Sequence, residues 1–396
     1  MKILLLQSSV YFPSFGGGNK SNRLLLEALV KRGHECYSIS KSVDAQKVVD
    51  QSSEKKVLQD RGIQSNRVES GISEYDYQGV HVFSINTSSV DSDNNQLNIQ
   101  QFFEQQYGKL KPDIILVSDD KNANLLNLSL KLSVDTTVLV VHTNLHLPFG
   151  DEATKVNHSV AGNYRRCKHL LTSTKYSKDY LQKEADITST YLPFPVFGEP
   201  PFENIAQFNR GCIGMINPCA IKGIDIFIQL AKVFPHLGFL AVPTWGANAE
   251  DIRRLEQLDN MRVLPPQDNI ENILKHLNIL IVPSLIQETF GYVTVEAMLR
   301  GIPVLASDLG GLRDAKLGVD YLLPVTPAIN CQGQHKVPNQ DITKWRQTLQ
   351  LLTENKELYE QCSERSYRAA NDYMSTIKIE KFELYLNNIS SPHSAL

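Results

Sequence analysis

The chain of 396 residues is long enough for two α/β domains of ordinary size, and its 42% hydrophobic content can fill two cores. A formal net charge of -3 argues against a polyanion-binding surface, so nucleic acid is not expected as a partner. The six cysteines show no C-x-x-C spacing, which indicates neither a structural zinc site nor a disulfide framework and points to a cytoplasmic protein.

Residues 2–6 form an apolar run that stops at Gln7-Ser8-Ser9, too early for a secretory or membrane segment, and predict a first strand. A loop containing Gly16, Gly17 and Gly18 follows, then a helix over 19–30 with Gly33 as its C-cap and a strand over 36–39. This loop does not read as a nicotinamide turn, because Ser21 stands at the third glycine position; nor is it a P-loop, because Gly18-Asn19-Lys20-Ser21 lacks adjacent Gly-Lys. Residues 44–78 are polar and poorly periodic, the signature of an excursion from the core. Apolar strands at 80–85, 114–117 and 137–141 then alternate with helices at 97–109 and 123–132, which predicts a parallel sheet covered on both faces.

His142 follows the strand at 137–141, at the edge where open α/β sheets bind ligands; a histidine that caps a strand end is the alternative. Asn144, His146 and Phe149, in the loop that follows, are candidate acceptor contacts by position alone. The basic run at 164–169 reads as a solvated face, with a peripheral membrane contact as the lesser reading. Asp91-Ser92-Asp93 has D-x-D form but lies among Ser, Asn and Gln, so it reads as a loop, and no metal cofactor is expected. The proline-rich stretch at 193–201 breaks helix and strand alike and divides the chain into 1–197, 198–374 and a C-terminal helix and tail at 375–396.

The second half opens with a strand at 212–216 and a loop holding Asn217 and Lys222. Strands at 237–242, 261–264 and 278–282 follow, then the stretch around which the chain is arranged, residues 284–311. Glu288 precedes a helix opened by Gly291, and Glu296 stands eight residues on, inside its first two turns. The backbone N–H groups of Thr289, Phe290 and Gly291 fall where a helix leaves donors unused, and such an end suits a phosphate. Carboxylates accept from hydroxyls while amides donate to phosphates, so the combination fits a ligand that is sugar at one end and diphosphate at the other. Taken singly, Glu288 is equally well a helix-opening acid and Glu296 a solvated helix residue.

Glu288, Phe290, Gly291, Glu296, Ala297, Met298, Gly301, Pro303 and Val304 together resemble the EX7E signature of the family-four retaining glycosyltransferases, the glycosyl transferases group 1. Thr289 departs from the usual glycine. The loop at 11–18, the Arg32-Gly33-His34 helix end and Lys222-Gly223 are similar to further family stretches, although the family's phosphate-binding arginine is absent: Met215, Ile216 or Asn217 occupies its place, with Asn217 the favoured stand-in. The resemblance implies a GT-B fold: two Rossmann-like domains facing across a cleft, acceptor bound by the first and nucleotide sugar by the second, with the last helix crossing back to the first. It also implies site roles: Glu288, His142 and Lys222 in catalysis, and Gly16–Gly18, Asn217, Lys222, Pro265, Glu288, Thr289, Phe290, Gly291 and Glu296 in donor binding. The expected partners are a nucleoside-diphosphate-sugar donor and an unidentified acceptor. A hydrolase or epimerase of the same fold, or a non-catalytic sugar-nucleotide-binding protein, are the alternatives.

Overall fold

The computed structural model describes residues 1–14, 16–43, 54–69, 71–86, 92–118, 123–331 and 334–390; the side chains of 92–99, 331 and 334 are outside the description, and so is Asp91 of the D-x-D run, whose Ser92 and Asp93 open a helix instead of lying in a loop. The chain divides into two compact units, Met1–Val196 with Ile377–Leu396, and Phe197–Thr376.

The first unit runs β1 (Lys2–Val10), α1 (Gly17–Lys31), β2 (Glu35–Lys41), α2 (Glu54–Gln59), β3 (Ser65–Glu69), β4 (Ile72–Tyr77), β5 (Val80–Ile85), α3 (Ser92–Leu110), β6 (Ile114–Ser118), α4 (Asn124–Leu132), β7 (Thr137–Val141), α5 (His158–Arg166), β8 (His169–Thr172), α6 (Lys175–Ala185) and β9 (Thr190–Tyr191). Its sheet has the order β3-β4-β5-β2-β1-β6-β7-β8-β9. The centre is parallel, with β1 pairing both β2 and β6, and β6 and β7 are buried along their whole length. That burial is why these strands read as unbroken apolar runs. The segment expected to be an excursion instead adds β3 and β4 as an antiparallel meander on β5. In β3 Ser65 is partly buried and the other four residues are exposed, and a strand with no buried face carries no alternation to read.

The second unit runs β10 (Cys212–Ile216), α7 (Ile224–Val233), β11 (Phe239–Val242), α8 (Ala249–Glu256), β12 (Met261–Val263), α9 (Glu271–Leu274), β13 (Leu277–Val282), α10 (Tyr292–Met298), β14 (Val304–Ser307), α11 (Leu312–Ala315), β15 (Leu322–Leu323), the hairpin β16 (Ile329–Cys331) and β17 (Gln334–Lys336), α12 (Thr343–Glu354) and α13 (Lys356–Thr376). Its main sheet is parallel in the order β12-β11-β10-β13-β14-β15. The chain leaves β10 in one direction, through β11 and β12, and returns to its other side at β13. Open α/β sheets bind ligands at such a reversal, which here falls at the carboxyl ends of β10 and β13. In the first unit the same reversal falls between β1 and β6.

The last helix, α14 (Ile379–Ser390), belongs to the first unit. Arg32 pairs with Glu380 at 2.9 Å and with Glu383 at 2.6 Å, and Phe382 meets the ring of Phe194 edge-on at 5.0 Å. The Arg32-Gly33-His34 turn that ends α1, where Gly33 N–H donates to Val30 and His34 N–H to Leu29, thus presents its cation to α14.

Candidate functional site

In the second unit the loops after β10 and β13 are fastened to each other by main chain. Leu285 N–H donates to the Ile221 carbonyl at 2.9 Å, and Gly223, at φ +81°, lies so close to Pro283 that a Cβ there would collide with its carbonyl oxygen. Only glycine meets both conditions, which explains the residue after Lys222. The result is an ion pair between Lys222 Nζ and Glu288 Oε1, with both side chains about five-sixths buried, at 17% and 16% exposure. They are 66 residues apart in sequence. The pair sits at the carboxyl ends of the two strands that flank the reversal.

The Glu288 to Gly291 segment is held from its other side by the turn after β14. Gly311 N–H donates to the Glu288 carbonyl at 2.6 Å, and a Cβ on Gly311 would run into the Thr289 carbonyl oxygen. With its carbonyls turned toward Gly310 and Gly311, the segment keeps its amides for other use: among the described residues, no hydrogen bond engages the N–H of Thr289, Phe290 or Gly291. The helix they open, α10, is only seven residues long, so these local donors matter more than a summed helix dipole. Glu296 lies within α10 at 5% exposure, which rules out a solvated helix residue.

Asn217 follows β10 in the left-handed region, φ +60°, a conformation asparagine tolerates. Its Oδ1 accepts from Gly246 N–H at 2.9 Å, so the carboxamide is oriented and its NH₂ is the end left to donate to a ligand. Burial pushes the neighbouring Cys219 thiol up, which keeps the loop free of a reactive thiolate. Pro265 is exposed in the loop after β12, two strands from β10 and so roughly 10 Å across the sheet. Its carbonyl accepts from Gln267 Nε2 at 3.3 Å, and among the described residues no hydrogen bond joins it to the Lys222 group.

In the first unit, Gly17 and Gly18 form the first turn of α1 and Gly16 its N-cap, so two of the three glycines belong to helix rather than loop. At Gly18 a Cβ would lie 3.1 Å from that of His142, so the helix start presses on the histidine. The imidazole is fixed by a buried chain of amides that sequence reasoning missed. Gln7 Nε2 donates to the Ser9 carbonyl at 3.3 Å, Asn22 Nδ2 donates to Gln7 Oε1 at 3.0 Å, and His142 Nε2 donates to Asn22 Oδ1 at 2.7 Å. A main-chain carbonyl can only accept, so the direction of the whole chain follows and the proton sits on Nε2 of His142. The ring also meets Phe194 edge-on at 4.8 Å. Asn144 and Phe149, candidates by position, are buried; Asn144 donates to Glu152 at 3.0 Å and accepts from Ser177 at 2.8 Å, tying the loop to α6. Of the basic run, Tyr164 is buried in the core, and Lys168 pairs with Asp135 at 2.5 Å on the exposed surface.

Among the described residues, no group of three or more His, Cys, Asp or Glu side chains is arranged to hold a metal ion, and no helix is long and apolar enough to cross a membrane.

Residues 208–329, the part of the second unit that holds the Lys222–Glu288 pair, match the family described as glycosyl transferases group 1. The D-inositol 3-phosphate glycosyltransferase of Mycolicibacterium smegmatis is 31% identical over 164 residues, which is 39% of this chain; the match spans 33% of that relative's length. Across nearly the whole chain the structure resembles sucrose-phosphate synthase from Thermosynechococcus elongatus, with TM-score 0.67, 14% identity and 99% of each chain covered. It also resembles the Anabaena protein HepE solved with UDP and glucose, with TM-score 0.62, 15% identity and 99% of each chain covered. The fold is that of the GT-B glycosyltransferases: α/β, two units, each around a largely parallel sheet.

Proposed function

We propose that the chain is a retaining, hexosyltransferase-like glycosyltransferase that moves a sugar from a nucleoside-diphosphate donor to an acceptor. One observation carries this reading: the Lys222–Glu288 pair stands at the sheet reversal beside three amides that, among the described residues, no protein acceptor engages, with Glu296 buried in the helix they open. An ammonium and directed amides suit a diphosphate, and two carboxylates suit hydroxyls on either side of it. Lys222 and the amides of Thr289, Phe290 and Gly291 take the diphosphate, with the Asn217 NH₂ in place of an arginine. Glu288 takes hydroxyls of the sugar and Glu296 those of the ribose. His142, held as its Nε2–H form by Asn22, is assigned to the donor sugar on the resemblance.

In the proposed reaction the bond between the anomeric carbon and the phosphate oxygen breaks as the acceptor oxygen bonds to that carbon on the same face, and the departing phosphate takes the acceptor proton. Catalysis then comes from stabilising leaving-group charge and aligning the acceptor. The charge is carried by Lys222 and the amides, and no metal takes part. A covalent glycosyl-enzyme would require a carboxylate beneath the anomeric carbon, and no residue is assigned to that role.

Asn217, neutral where the family has a cation, favours a second reading, a protein that binds sugar nucleotides without turning them over. Incubation with a panel of nucleotide sugars, with and without candidate acceptors, separates the readings. The transferase reading expects release of nucleoside diphosphate that depends on acceptor. Release without acceptor indicates a hydrolase, conversion of the donor sugar without release indicates an epimerase, and binding without conversion supports the second reading.

A further inference from the structure

We propose that Trp245 is the stacking platform for the donor's sugar ring, an inference that rests on the donor reading above and adds a recognition residue to it. The turn after β11 is closed by Ala247 N–H donating to the Thr244 carbonyl at 3.3 Å, with Trp245 and Gly246 at its tip. Gly246 is pressed onto the loop after β10: its N–H donates to Asn217 Oδ1, and an added Cβ would lie 2.7 Å from the Cys219 sulfur. This anchoring sets the indole against Lys222, whose Nζ lies 5.8 Å from the ring centroid. The indole is 52% exposed, beside an ion pair that is mostly buried.

Exposure alone assigns nothing, because single apolar side chains are ordinary on protein surfaces. Position does. Lys222 is the cation proposed for the diphosphate, and an ammonium over an indole is held by the electron-rich face of the ring. When a phosphate draws the ammonium toward itself, that face becomes available to whichever ring of the ligand lies next to the phosphate. In a nucleoside-diphosphate sugar the donor sugar is bonded directly to one phosphate, the ribose, assigned above to Glu296, follows the other through a methylene, and the base is set back beyond the ribose. A pyranose presents a face of C–H groups whose positive edge complements the negative face of an aromatic ring. The ring within reach of Trp245 is therefore the sugar.

The sequence supplies the assay. The chain has two tryptophans, and Trp345 is fully buried with its indole N–H donating to the Pro324 carbonyl at 3.0 Å. Emission that changes on ligand addition in the wild type and not in Trp245→Phe therefore reports Trp245, and an exposed position is a safe place for the substitution. UDP-glucose, UDP-N-acetylglucosamine, GDP-mannose and ADP-glucose are titrated alongside free UDP, GDP and ADP, with calorimetry as the independent measure of binding. The expected result is a shift of Trp245 emission to shorter wavelength with the sugar nucleotide that binds, and little change with its free diphosphate. Trp245→Ala should weaken that sugar nucleotide by about fivefold to tenfold and alter the free diphosphate by less than about twofold. Saturation by a sugar nucleotide without an emission change, or an equal change with the free diphosphate, overturns the sugar platform and leaves the donor reading standing. No binding of any nucleotide overturns both.

Discussion

Replacing Glu288 with glutamine should separate binding from turnover in opposite directions. The Lys222 ammonium has a carboxylate partner in Glu288, so an arriving diphosphate competes with Glu288 for the same charge. Exposed pairs are worth up to about 1 kcal/mol, and truncating one partner of a fully buried pair costs about 3–5 kcal/mol. For a pair five-sixths buried, a competition of about 1–2 kcal/mol is expected, so Glu288→Gln should bind nucleoside diphosphate roughly fivefold to thirtyfold more tightly. Turnover should fall, because the carboxylate that accepts from the sugar hydroxyls is gone. Glutamine keeps one acceptor oxygen and turns the other into a donor, so the loss of one hydrogen bond to a charged group, worth about 1.5–3 kcal/mol, costs roughly tenfold to a hundredfold in kcat/KM. Calorimetry with the free diphosphate and acceptor-dependent release from the sugar nucleotide measure the two effects. Weaker diphosphate binding in Glu288→Gln would refute the competition, and wild-type turnover would remove Glu288 from the mechanism.

Gly311→Ala places a methyl group against the Thr289 carbonyl and must displace the segment carrying the amides. Overpacking of this kind costs about 1–3 kcal/mol, and a lower melting temperature with at least tenfold weaker diphosphate binding is expected in thermal and calorimetric titrations. Asn22→Ala removes the acceptor for His142 Nε2; it should cost about 1–3 kcal/mol in urea unfolding and lower kcat while the donor KM holds. Lys316 is buried, donates from Nζ to the Val304 carbonyl at 2.6 Å, and has its pKa lowered by burial to about 8. Between about pH 8 and the unfolded value near 10.4, the unfolded chain holds the extra proton, so this residue makes stability rise with pH over that window, by roughly 3 kcal/mol in all. Urea unfolding at about pH 7 and about pH 10 should show the penalty of Lys316→Met growing with pH; a penalty that shrinks contradicts the linkage.

What the chain disclosed on reading follows from how far apart the interacting residues lie. Parallel strands such as β6, β7 and β14 are buried on both faces and so announce themselves as apolar runs. The arrangement around Glu288 and Glu296 was legible because a loop and the helix it opens are local in sequence. The partners were not. Asn22 and His142 are 120 residues apart, and nothing in either neighbourhood marks the hydrogen bond between them. Trp245 gave no signal because an isolated tryptophan in a loop has neither period nor motif, and its place beside Lys222 depends on Gly246 meeting Asn217 across adjacent strands. Gly17 and Gly18 read as loop because glycine is a poor helix former, yet both lie in the first turn of α1, where Gly18 closely approaches His142.

The donor site is tested most directly by a crystal soaked with UDP, GDP and ADP in turn. The prediction is that one of them lies at the carboxyl ends of β10 and β13, phosphates on Lys222 Nζ and the N–H groups of Thr289 to Gly291, and ribose hydroxyls on Glu296. A nucleotide bound elsewhere in the second unit, with the Lys222–Glu288 pair undisturbed, would contradict it.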